Sequence, residues 1–178
     1  MSPATAPLVT LVAVGNAFAT DDRVALLVAT TLATRWRNDP RVRFVELDGE
    51  PTRILDAWRG SREGWVVDAM SSGAPAGCIE ELDPDAVAVS TVGAGRRGTH
   101  AAGVGEAIAL GRALGALPPR VRVFGIEGAH FGPGDQLSPA LTGLAFAAVV
   151  ESLDQTLREA LRPVGLNSSG VAACGRPR

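Results

Sequence analysis

Lysine and tyrosine are missing from this chain of 178 residues, aromatics make up 4 %, and there are two cysteines. Cys78 and Cys174 stand far apart with no second thiol near either. That spacing excludes a cysteine-rich zinc site, a Cys-x-x-Cys redox pair and a disulfide scaffold, and a reducing, cytoplasmic home is expected. Charge of one sign is also lacking. The 17 basic residues, all arginine, nearly balance 19 acids, and a net charge of -2 gives no overall pull toward nucleic acid or anionic lipid. No apolar run reaches the roughly 20 residues that a membrane helix needs, because even residues 136–150 contain Ser138, Pro139 and Gly143. No arginine precedes Arg23, and the apolar run from Leu8 to Val14 is closed by Asn16 and two acids, so it reads as a strand and not as a secretory leader. A Gly-x-Ser-x-Gly elbow and a Walker loop are both absent, and neither cysteine has a histidine at telling distance, which leaves covalent serine or cysteine catalysis without a warrant.

What is present is a substantial core, with 46 % of residues hydrophobic, and an alternation of strand and helix patterns. Leu8 to Val14 predicts a strand buried on both faces, and Asp22 to about Trp36 a helix capped by Asp21 or Thr20. Val42 to Leu47 predicts a second strand, Pro51 to Trp58 a short helix, and Gly64 to Ala69 a third strand that ends beside an acid. An edge strand over Cys78 to Leu82, a buried strand over Ala86 to Thr91 and a helix from His100 to Gly115 follow. Val121 to Ile126 predicts the last strand, and Ser138-Pro139 the opening of a long helix to about Leu161. This pattern predicts an α/β fold, a three-layer αβα sandwich with a mostly parallel sheet of about five strands. One domain is expected over residues 1–162, with 163–178 a disordered tail.

Sheets of this kind bind ligands beyond the carboxyl ends of their strands. Three residues with metal-ligating chemistry fall on connections at that edge: Asp22, Asp68 and His100. Two carboxylates and an imidazole form a mixed hard and borderline donor set that accepts nickel, zinc, iron(II) or manganese, and three ligands leave positions open for water or substrate. Taken singly, Asp22 is well explained by the positive end of a helix dipole and His100 by a capping or solvent-facing role. A charge at the end of an apolar strand, as at Asp68, needs partners or water.

Five ordered blocks over roughly residues 8 to 160 resemble the hydrogenase maturation proteases, which remove a carboxy-terminal peptide from the large subunit of nickel-iron hydrogenases after nickel insertion. The blocks are Val14-Gly15-Asn16 with Thr20-Asp21-Asp22, and Val67-Asp68-Ala69 with Gly73, Pro75 and Gly77. Next come Thr99-His100 before Glu106-Ala107, Phe124-Gly125-Ile126-Glu127, and Gly134 with Leu137-Ser138-Pro139. The resemblance implies that Asp22, Asp68 and His100 contact nickel carried by the substrate, with Asp22 or Asp68 the catalytic base. It also implies that no organic cofactor is used and that the partner is a hydrogenase large-subunit precursor. Two positions depart from the pattern: Ala13 stands for the first glycine of the opening motif, and Ala25 for a glycine after the paired acids. The loop from Val92 to Gly98 is also longer and more basic than the family pattern.

Two other readings compete. A chaperone that binds nickel or the partner without cutting is suggested by those departures. A dinucleotide-binding module is suggested by Gly93-Ala94-Gly95-Arg96-Arg97-Gly98, with Glu127 as a ribose-binding acid, although the motif sits late in the chain and the acid lies farther on than the usual spacing of about 20 residues. The bland reading of Arg96 and Arg97 is a solvated loop; the functional one is a pair that docks acidic groups of a protein partner. His130, in a Gly-Pro-rich loop, could line the same cleft or simply face solvent.

Overall fold

A computed structural model describes residues 6–90 and 101–162. Its elements run in the order β1 (Val9–Val14), α1 (Val24–Arg35), β2 (Val42–Leu47), α2 (Pro51–Trp58), β3 (Glu63–Met70), β4 (Ile79–Leu82), α3 (Pro84–Ser90), α4 (Ala101–Ala113), β5 (Arg120–Glu127) and α5 (Leu144–Ala160). Single 3-10 turns, Asp21–Arg23 and Pro139–Leu141, precede α1 and α5.

The five strands form one sheet in the order β2-β1-β3-β5-β4. The first four are mutually parallel, and only the edge strand β4 runs antiparallel, against β5. All six residues of β1 are buried, because it is paired on both sides and covered on both faces. Successive residues of a strand point to opposite faces, which splits the core in two. Leu11, Ala13, Trp65, Val67, Phe124 and Ile126 pack against α1 and α5; Val12, Val14, Val66 and Val123 pack against α2, α3 and α4. The expected three-layer α/β architecture is thus present. Helix α2 starts cleanly because Glu50 accepts the amides of Thr52 and Arg53 and Pro51 fills the first turn.

Three local expectations are corrected. The segment expected as a strand from Ala86 is the helix α3. Its start is set by Pro84 and by Asp83, whose Oδ1 accepts the Asp85 amide at 2.9 Å while its carbonyl accepts the Val87 amide at 3.0 Å. A strand would place Val87 and Val89 on one face, yet Val87 is buried and Val89 is 72 % exposed. The helix expected from Ser138 is interrupted, since Thr142 is extended and Gly143 takes a φ of +57° before α5 begins. Cys78, expected without a disulfide partner, is disulfide-bonded; Cys174 and the rest of 163–178 lie outside the described residues. No described helix is long and apolar enough to cross a membrane.

Candidate functional site at the carboxyl ends of β1 and β3

The strand order fixes where a site can form. From β1 the chain passes through α1 on one face of the sheet, whereas the chain leaving β3 goes on to α3 and α4 on the other. Connections that diverge in this way open a crevice between the two carboxyl ends, the position where open α/β sheets hold ligands. The 3-10 turn bearing Asp22 leaves the end of β1, and Asp68 lies near the end of β3.

Asp22 is held close to the sheet by Gly15. A Cβ on Gly15 would come within 2.3 Å of the Asp22 carbonyl oxygen, so only glycine lets this turn fold back so tightly onto β1. The turn also lies against β3. Asp68 is two residues beyond Val66, hence on the same face as Val66, the face covered by α4. Its Oδ1 accepts the Ala69 amide at 2.8 Å. Both acids are more enclosed than an open cleft would make them, at 4 % and 7 % exposure. Carboxylates withdrawn from water attract a cation more strongly than exposed ones.

The third expected residue, His100, lies outside the described residues, as do Arg96 and Arg97. The helix that follows it is tightly placed. A Cβ on Gly103 would meet the Gly49 carbonyl oxygen at 2.0 Å, so the first turn of α4 rests directly on the chain leaving β2, at the same edge of the sheet. Among the described residues no group of three or more His, Cys, Asp or Glu is arranged to hold a metal ion. His130 is exposed, on the connection from β5 to α5.

Two further acids of the edge have roles that the sequence pattern does not reveal. Asp21, expected as a helix cap, is fully buried and instead binds the β5-α5 connection. Its Oδ2 accepts the amides of Ala129 (2.8 Å) and His130 (2.9 Å) and the Ser138 hydroxyl (2.7 Å), and its Oδ1 accepts the Ser138 amide (2.7 Å). Burial alone would raise its pKa. The bonds from the Ser138 hydroxyl and from the Ser138, His130 and Ala129 amides outweigh that and hold it below the ordinary aspartate value. Thr20 reinforces the same clasp, donating its hydroxyl to the carbonyls of His130 and Gly132. Glu127, the candidate ribose-binding acid, is 2 % exposed and accepts the Ser72 and Gly73 amides and the Ser72 hydroxyl at 2.8 to 2.9 Å.

These placements weigh on the competing readings. The glycine motif follows the helix α3 and not a strand, and Glu127 is already fully engaged, so the context of a dinucleotide fingerprint is missing. Ala13 and Ala25 are both wholly buried in the core against α1 and α5, so the two departures fall in packing and not among the acids of the edge.

No protein-family model matches the chain, and no curated protein matches it by sequence. Solved structures do match its fold. The hydrogenase maturating endopeptidase HybD from E. coli is similar over 86 % of this chain and 93 % of its own, with a TM-score of 0.71 and 18 % identity. The [NiFe] hydrogenase maturation protease HybD from Thermococcus kodakarensis is similar over 86 % of this chain and 99 % of its own, at a TM-score of 0.64 and 19 % identity. The endopeptidase HycI from Escherichia coli covers 94 % of this chain and 96 % of its own, at 0.64 and 20 %. At such identities the likeness is one of fold.

Proposed function

We propose that this protein is an endopeptidase that removes the carboxy-terminal extension of a nickel-loaded nickel-iron hydrogenase large subunit. The observation that carries the proposal is the pair of enclosed acids, Asp22 and Asp68, at the diverging connections of β1 and β3 in a chain with the fold of hydrogenase maturation endopeptidases. On this reading Asp22, Asp68 and His100 contact nickel borne by the substrate. Nickel serves as the recognition handle and not as a resident cofactor, and no organic cofactor takes part. Holding the metal fixes the scissile bond next to the acids, so that positioning supplies much of the rate. Water is the nucleophile, polarised by the metal on the substrate or deprotonated by Asp22 or Asp68. Buried carboxylates favour both tasks, since a cation at this edge meets little competing water. The partner is the large-subunit precursor.

The test is processing of a nickel-replete precursor by the purified protein, read by mass spectrometry of the released peptide. Asp68→Asn keeps an acceptor for the Ala69 amide, so it is expected to fold while lowering the processing rate by at least about 100-fold. His100→Ala is expected to do the same. Full processing by either variant would overturn the assignment of that residue, and no cleavage by the unaltered protein would overturn the reading as a whole.

A further inference from the structure

Phe18 is 80 % exposed, in a loop that leaves β1 four residues before Asp22. A lone exposed apolar side chain is ordinary on a mobile loop. The backbone here is not ordinary. The Phe18 amide donates to Asn16 Oδ1 at 2.9 Å, and the Phe18 carbonyl accepts the Gly134 amide at 2.9 Å. The Ala19 amide donates to the Asn16 carbonyl at 3.1 Å, and Ala19 forms an antiparallel bridge with Pro133. The Thr20 amide donates to the Gly132 carbonyl at 3.0 Å. Beyond Thr20, the Asp21 clasp fixes the same two segments together. The ring is therefore presented on a backbone whose polar groups are already satisfied, at the edge of the sheet that carries Asp22 and Asp68.

Both the amide and the carbonyl of Phe18 are used inside the protein, so a ligand meets this residue through its ring. The two strips it belongs to, residues 15–20 and 128–134, contain no aspartate, glutamate or arginine. That surface suits an apolar peptide side chain and not an ionic group. A rigid aromatic anchor binds such a side chain at low entropic cost, because the loop has little freedom left to lose.

We propose that Phe18 is a specificity-determining residue of this site, an anchor that receives an apolar side chain of the substrate's carboxy-terminal segment while the acids engage the metal. The proposal rests on the peptidase reading. Its test is steady-state processing of the nickel-loaded precursor by the full-length chain and by Phe18→Ala and Phe18→Leu. Phe18→Ala is expected to raise KM by about 10-fold or more, with kcat within about twofold, because only uniform binding is lost. Phe18→Leu, which keeps an apolar surface, is expected to restore most of the affinity. The melting temperature of both variants should match that of the parent, since the ring is exposed. An unchanged KM in Phe18→Ala, or a fall in kcat at constant KM, overturns the anchor while leaving the peptidase reading standing. Absence of cleavage by the unaltered chain overturns both.

Discussion

Two adjacent aspartates have different surroundings, and nothing in their one-letter pattern separates them. Asp21 and Asp22 both suit the first turn of a helix, where the dipole favours negative charge. What distinguishes them is tertiary: the donors that reach Asp21 come from residues more than a hundred positions away. Sequence periodicity carries no information about such a contact, and the same holds for Glu127, whose donors sit on the β3-β4 connection. The placement of Asp22 and Asp68 at the carboxyl edge was legible, because Asp68 lies near the end of an apolar strand and Asp22 on the connection that follows another. The clasp can be measured. Asp21→Ala leaves three part-buried amides without their acceptor and is expected to destabilise the protein by about 3 kcal/mol in chemical denaturation. Ser138→Ala removes one donor of four and is expected to cost about 1 kcal/mol. Equal effects of the two substitutions would mean that the carboxylate is not the hub.

Element boundaries show where local pattern suffices and where it fails. The bounds of β2 and α2 coincide with expectation because alternation in one, and an N-terminal proline with a clear apolar side in the other, are local signals. The segment from Ala86 fails because alternating small and β-branched residues fit both a buried strand and a short helix, and Asp83-Pro84 decides for the helix. The two structures differ at one testable position. In α3 Val89 faces outward and Val87 inward. Val89→Asp is therefore expected to change stability by no more than about 0.5 kcal/mol, and Val87→Asp to cost at least about 2 kcal/mol, both read from denaturant midpoints. A buried strand would make both substitutions severe. The break at Gly143 was likewise hidden, since Ser138-Pro139 is a sound helix opening and gives no sign that only a single turn follows.

For the molecule as a whole, the three layers follow from strand-helix alternation and β4 is the expected edge strand, but its pairing with β5 and its reversed direction do not follow from the sequence. Only the pairing register fixes them. The α1-α5 layer is joined by a buried acid that also sets the behaviour in acid. Asp154 of α5 accepts the Trp36 indole N–H at 2.6 Å and is paired with Arg158 and, at 3.6 Å, with Arg35 of α1. Burial pushes its pKa up, but the Trp36 and Arg158 bonds and the charges of Arg158 and Arg35 outweigh this and hold it below 3.8. A lowered native pKa means that its contribution to stability is complete above the unfolded value and is lost as pH falls through the native one. Thermal unfolding is thus expected to show no pH dependence from this residue near neutrality and a decline below about pH 4 that is shallower in Asp154→Asn. Identical acid profiles for the two proteins would exclude Asp154 as a contributor.

The clasp on Asp21 bears on how the protein is made. Its donors, Ala129, His130 and Ser138, come late in the chain, after every strand of the sheet. A ribosome-bound fragment ending before them can pair β1, β2 and β3, yet it lacks the donors that tie the turn of Asp21 and Asp22 to the β5-α5 connection. Closure of this edge of the sheet is thereby deferred until the last strand and the connection after it have been made.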